Sequence, residues 1–296
     1  MKQILLILAV VALVGCGKKE DDNTSVANPE KLISDPIVEK AIRKQLKKPT
    51  GKLTKADLKA RRASLDLSDN NLTELPKGLE KLPRLKSLFL DDNKLTNVKG
   101  LEKLTELTGL SLQSNQLTDV KGLEKLDQLK VLNLGYNKLT DVKGLEKLTQ
   151  LTFLTLSRNQ LTEVPKGLEK LTQLKWLNLG DNQLTSVKGL EKLTQVKELW
   201  LMDNQLTDVK GLEKLTQLKE LQIYFNKLTD VKGLEKLTQL EFLWLGDNQL
   251  TDVNGLEKLT QLKMLRINNN PDLTKAQIDE LKKALPKCTI HSNPTK

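Results

Sequence analysis

The residue types able to do covalent chemistry are few in this chain and far apart. Its one histidine, His291, stands three positions after Cys288. A thiolate nucleophile needs a base within hydrogen-bond reach and a third group to orient that base. On an extended segment, positions three apart face opposite sides, and no orienting group accompanies the pair. Cys288 therefore reads as a packing residue under a C-terminal helix. Asp91 and Asp92 form an acid pair beside an expected strand end, where two solvated carboxylates are the ordinary reading. No His/Cys set has metal-ligand spacing, and no glycine-rich loop precedes a helix to hold phosphate. The sequence reads as that of a non-enzyme, with no catalytic residue, metal or cofactor.

Recognition is the chemistry that remains. The nine aromatic residues are Phe89, Tyr136, Phe153, Trp176, Trp200, Tyr224, Phe225, Phe242 and Trp244, and all fall in one half of a repeating phrase. That phrase must position them. "LTDVKGLEKLTQL" occurs at 139–151, 206–218 and 228–240, and its register is fixed by Asn70, Asn93, Asn115, Asn137, Asn159, Asn182, Asn204, Asn226, Asn248 and Asn270. These asparagines are 22 residues apart except for two steps of 23, where an extra residue and a proline enter the connecting segment. Ten repeats follow, over 62–273. Such self-similarity signals a solenoid, in which each unit covers the apolar side of its neighbour.

Within a unit such as "LKVLNLGYNKL" (129–139), the alternation of Leu132 and Leu134 predicts a short strand with leucines inward and their neighbours outward. Leu139, Val142, Leu145 and Leu148 then return the chain through a turn and a short helical segment. An amide both donates and accepts, so a buried asparagine column is expected to satisfy backbone groups where each strand bends away. Helical caps are expected at both ends. Asp35-Pro36 opens one helix and Thr54 with Asp57 a second, within a cap over 29–61; Thr274 and Gln277 have capping-box spacing before Ile278, Leu281 and Leu285. Residues 274–296 are read as that cap helix and a tail.

The phrase L-x-x-L-x-L-x-x-N-x-L is the leucine-rich repeat signature, and the chain most resembles the internalin-like bacterial class with 22-residue units. It departs from the internalins in carrying "KGLEK" where they have a Ser-Pro-rich segment. The resemblance implies an α/β fold: a curved horseshoe with a parallel β-sheet on its concave face and a binding role for that face.

The first residues point to a membrane surface. Lys2 precedes an apolar run from Ile4 to Val14, too short to span a bilayer, so 1–15 reads as a signal peptide. "LVGC" (13–16) resembles a bacterial lipobox, which implies cleavage before Cys16, diacylglycerol on its sulfur and an acyl chain such as palmitate on its amino group. An ordinary signal peptide with an incidental cysteine is the alternative. Residues 16–28 read as a tether with a reach of roughly 20 Å. Gly17 favours an outer-membrane destination if the organism is Gram-negative. With Cys16 lipidated, Cys288 has no disulfide partner.

The formal charge of +10 is carried in part by Lys99, Lys121, Lys143, Lys166, Lys188, Lys210 and Lys232, each before a repeat glycine on the connecting segments. The aromatic positions are instead accompanied by Glu198, Asp203, Glu220, Glu241 and Asp247. Single-strand nucleic-acid sites interleave aromatic and basic residues, so nucleic acid is not the expected partner. Repeats five to nine are expected to gather seven aromatics, Phe153 to Trp244, on one surface. Three readings stay open: a lipid-anchored envelope module binding a protein partner, one binding a glycan with help from Asn133, Asn178 and Gln222, and a spacer that binds nothing.

Overall fold

The computed structural model describes residues 32–54, 56, 57, 64–82 and 84–293. The expected signal peptide, Cys16 and the tether lie outside these residues, as do 29–31, 55 and 58–61 of the N-terminal cap and 62–63 of the array. Among the described residues, no helix is long and apolar enough to cross a membrane.

Each repeat contributes a three-residue strand. These are β1 (Ser64–Asp66), β2 (Ser87–Phe89), β3 (Gly109–Ser111), β4 (Val131–Asn133), β5 (Phe153–Thr155), β6 (Trp176–Asn178), β7 (Glu198–Trp200), β8 (Glu220–Gln222), β9 (Phe242–Trp244) and β10 (Met264–Arg266). With β11 (Thr289–His291) they form one open parallel sheet of 11 strands in sequence order. Registers align the central leucines, for example Leu132 with Leu154 and Leu199 with Leu221, so every leucine of this column faces inward together. β11 was not expected. Residues read as a tail instead pair with β10, placing Ile290 beside Leu265 against the core. The segment lacks the repeat phrase, but after Pro286 its alternation still offers one apolar side chain to the open end of the core.

Leucines from strand and connecting segment form one continuous core, with Leu132, Leu134, Leu139, Leu148 and Leu151 fully buried. Asn93 through Asn270 are buried beside it, as the asparagine column requires. In a typical unit, Asn137 Nδ2 donates to the carbonyls of Leu112, Leu134 and Gly135, while its Oδ1 accepts from Leu117 N–H at 3.0 Å. One side chain thus joins its own bend to the preceding repeat. Asn70, at the array's start, is only half-buried.

The connecting segment turns through a glycine and a one-turn 3-10 helix, such as Leu123–Lys125. Gly122 has φ 111°, a left-handed conformation that L side chains avoid, and its N–H donates to Glu124 Oε2 at 2.6 Å. This explains why glycine and glutamate recur together in "KGLEK".

Both caps form. α1 (Pro36–Leu46) begins at Asp35, whose Oδ1 accepts from Ile37 and Val38 N–H, and buries Val38 and Ile42. Thr54 and Asp57 exchange hydrogen bonds at the start of the second predicted helix, whose continuation is outside the described residues. α2 (Lys275–Ala284) carries the Thr274/Gln277 capping box and buries Ile278 and Leu281 over the last repeat.

Candidate functional site: the aromatic face of the sheet

Strand alternation leaves two outward positions on each strand, flanking the buried leucine. In the first column Phe153, Trp176, Glu198, Glu220 and Phe242 are neighbours on β5 to β9; in the second, Thr155, Asn178, Trp200, Gln222 and Trp244. Parallel pairing at about 4.8 Å between strands brings these side chains into contact. Phe153 and Trp176 stack with centroids 4.0 Å apart and planes 2° from parallel, and Trp176 meets Trp200 edge-on at 5.0 Å. Phe242 and Trp244 lie 6.4 Å apart, and Tyr224 and Phe225 5.5 Å apart. Five of the seven aromatics of repeats five to nine, Phe153, Trp176, Trp200, Phe242 and Trp244, stand on strands of this sheet, whereas Tyr224 and Phe225 follow β8 and line a depression with Trp244. Phe89 stands alone on β2, and Tyr136 lies towards the N-terminal end, under Arg158, whose guanidinium is 4.6 Å from the ring centre.

The tryptophans are half-buried against neighbouring rings rather than freely solvated, Trp176 and Trp200 against each other and Trp244 against Phe242, and Phe153 is 9% exposed beneath Trp176. Tyr136 and Phe225 are not strand residues. They occupy the bend after the strand with φ 56° and 51°, where other repeats place Asp92, Asp181, Asp203 and Asp247. An aspartate tolerates this conformation better than an aromatic residue. Among the described residues, these two rings are also the most exposed large apolar side chains, at 42% and 50%.

Acidic groups are set among the rings. Glu198 and Glu220 face each other across β7 and β8, with Trp176 before them and Phe242 after. Trp200 Nε1 donates to Glu220 Oε1 at 3.1 Å, and Gln222 Nε2 donates to the same oxygen at 2.8 Å. Burial, and secondarily the charge of Glu220, push the Glu198 carboxyl above its ordinary range, partly offset by a hydrogen bond from Trp176. Asp203 is raised by burial and by Asp181 and Asp247, with Arg158 opposing; Tyr224 is raised by burial and by Asp203 and Asp181. Glu241 is different, lowered by hydrogen bonds from Lys263 and Lys219.

Beside this cluster, Gln222, Tyr224, Phe225, Trp244, Gly246, Asp247, Arg266 and Asn268 line a depression of about 410 Å³. Arg266 and Asn268 were not singled out from sequence, although Arg266 occupies the same outward column as Trp244. A Cβ on Gly180 would lie 2.6 Å from Met202 Sδ, the far end of a flexible side chain that would have to move aside.

The remaining sequence candidates do not join this surface. Cys288 is half-buried against the core, its thiol raised by burial, while His291 is exposed on β11. Asp91 accepts from Ser111 Oγ and from Gln113 N–H, and burial raises its carboxyl. Among the described residues, no group of three or more His, Cys, Asp or Glu could hold a metal ion. The lysines before the repeat glycines are exposed on the connecting segments.

A family model described as leucine-rich repeats in two copies matches residues 105–147, 149–192, 172–214, 194–236 and 238–283, and a leucine-rich repeat model matches 63–117. No curated protein matches the sequence. Among solved structures, a leucine-rich repeat protein of Leptospira interrogans is 36% identical with TM-score 0.72, over 76% of this chain and 59% of its own length. The functional domain of the internalin InlJ of Listeria monocytogenes is 28% identical with TM-score 0.75, over 89% of this chain and 56% of that one. This chain thus spans less than two thirds of either. The ectodomain of an Arabidopsis thaliana receptor kinase, solved in complex with a Casparian strip integrity factor, is 28% identical with TM-score 0.62, over 75% of this chain and 28% of that one. Repeat phrase, open parallel sheet and family match agree: the chain belongs to the leucine-rich repeat family.

Proposed function

We propose that this protein is a non-catalytic binding module of a bacterial envelope, held to a membrane through lipidated Cys16, and that the aromatic concave face binds a protein partner. The leucine-rich repeat fold is commonly a protein–protein interaction module, and the neighbouring families are generally non-enzymatic. The observation that carries the reading is the placement of rings on the solvent side of the sheet. Tyr136 and Phe225 occupy left-handed positions that favour other residue types, and they remain exposed there. Core packing does not account for them. Aromatic anchors in a partly desolvated patch with a polar rim are the usual composition of an interface centre.

A protein partner fits better than a glycan because the amides a sugar would need are already engaged. Asn133 and Asn178 are buried and accept from Gly135 and Gly180 N–H, and Gln222 is held by Glu220. The internalin-like class and the outer-membrane destination belong to the same proposal, resting on the repeat phrase, the "LVGC" stretch and Gly17.

The test is capture of envelope proteins by the full chain with crosslinking, comparing Trp200→Ala and Trp244→Ala with the paired change Lys188→Ala and Lys210→Ala. Each tryptophan change is expected to weaken the recovered interaction by about 2 kcal/mol or more, as for interface hot spots. The lysine pair should leave it intact. Silent tryptophans with a sensitive lysine pair would move the site to the connecting segments and overturn the assignment.

A further inference from the structure

The centre of the aromatic face holds two acids and no cation. Glu198 and Glu220 are register partners on β7 and β8, half-buried, with Trp176 and Phe242 beside them in the same column and Trp200 next to them in the adjacent one. Among the described residues neither carboxylate has an ion-pair partner. Lys219, just before Glu220, is joined to Glu241 at 3.1 Å, and Glu241 also takes Lys263. The hydrogen bonds to the two acids come from neutral donors: Trp176 to Glu198, and Trp200 and Gln222 to Glu220. Two like charges on adjacent strands repel, and partial burial strengthens that repulsion. A surface optimised for packing alone would place neutral side chains here.

Resting on the concave-face reading above, we propose that the partner docks by a basic side chain, an arginine of a protein segment, seated on Glu198 and Glu220 between Trp176, Trp200 and Phe242. Charge complementarity selects the occupant. A guanidinium would neutralise both carboxylates, and its planar fork presents five donors, enough to reach two acceptors on neighbouring strands about 4.8 Å apart. It also stacks on aromatic faces, is less strongly hydrated than an ammonium and so enters a partly dry site more readily. Asp203 and Asp247, on the bends after nearby strands, extend the negative field around the same site, while Asp181 is paired with Arg158 at 3.5 Å. The excess lysines stand on the connecting segments. At physiological ionic strength screening acts over about 8 Å, so the local sign of the face governs docking rather than the chain's net charge.

A random peptide display library selected on the immobilised full chain tests this. Recovered peptides would be synthesised and titrated against wild type, the Trp200→Ala/Trp244→Ala double variant and the Glu198→Gln/Glu220→Gln double variant. Each peptide would also be made with citrulline, a neutral isostere, replacing arginine. Circular dichroism and the unfolding midpoint of each variant check that the fold is kept. The expected result is arginine-containing peptides whose affinity falls about tenfold or more on either double variant and on citrulline replacement, the scale of losing a desolvated charged contact. Peptides that depend on the tryptophans but bind the glutamine variant and the citrulline form equally well would overturn the arginine proposal and leave the concave-face reading standing. Recovery of acidic peptides would do the same. No peptide depending on the tryptophans would sink both.

Discussion

Asn182 uses both atoms of its amide: Nδ2 donates to the carbonyls of Leu156, Leu179 and Gly180, and Oδ1 accepts from Leu161 N–H at 3.1 Å. Leucine there would fill similar volume and leave these buried groups unpaired, at a cost of about 1–3 kcal/mol. Asn182→Leu is therefore expected to lower the denaturant midpoint, and an unchanged unfolding curve would contradict the ladder. Glu198 behaves in the opposite sense. Its carboxyl is raised above the ordinary 4.5 by burial and by Glu220. The folded state then binds the proton more tightly than the unfolded chain, so ionisation destabilises the fold. That penalty is absent below the unfolded pKa, grows as pH rises through the folded one and is fully present at neutral pH. Glu198→Gln should thus melt at or above the wild-type temperature at pH 7, the difference shrinking as pH falls through the raised folded pKa and vanishing below the ordinary 4.5. A melting temperature lowered at neutral pH would show that the carboxylate supports the fold.

At the level of the element, the connecting turn resists change for two separable reasons. The glycines before the LEK segments take left-handed φ values near 100°, so alanine there costs more than the 0.4–1 kcal/mol at stake where the conformation is compatible. The second reason is stacking of turns in adjacent repeats. A Cβ on Gly167 would approach Glu146 Cβ to 2.8 Å, whereas one on Gly122 would find nothing nearer than Glu102 Oε2 at 3.8 Å. Gly167→Ala should therefore destabilise the array more than Gly122→Ala, although both lose the same backbone freedom. Equal midpoints for the two variants, measured by chemical denaturation, would mean that the stacked turns give way freely.

Across the whole molecule, stability passes from repeat to repeat through one core and one asparagine ladder, and α1 and α2 cover its ends. A solenoid of this kind keeps its sheet face available because no core residue depends on it. The proposed lipid would leave this face free, since a tether over 16–28 would have a reach of roughly 20 Å. Cys16→Ala is expected to move the protein out of the membrane fraction or to block its maturation, read by fractionation and by intact-mass spectrometry of the wild type. A wild-type protein that is soluble and unacylated would end the lipoprotein proposal.

The repeat phrase alone determined the fold class, the inward leucine columns, the buried asparagines and the outward strand positions that Phe153, Trp176, Trp200, Phe242 and Trp244 occupy. Period and alternation are local properties, and copying them ten times leaves one consistent stacking. The caps were legible for the same reason, since Asp35-Pro36 and the Thr274/Gln277 box act within a single turn of helix. Tertiary structure decided what happens between strands. β11 forms because Ile290 reaches the open end of the core, although its segment carries no repeat phrase. Tyr136 and Phe225 stand on the bend rather than the strand because φ turns positive after each three-residue strand. The half-burial of the tryptophans, and the facing of Glu198 and Glu220 between rings, depend on register across repeats. Residues 22 apart in sequence become neighbours only when the chain has coiled, and their packing and charge are set by that contact.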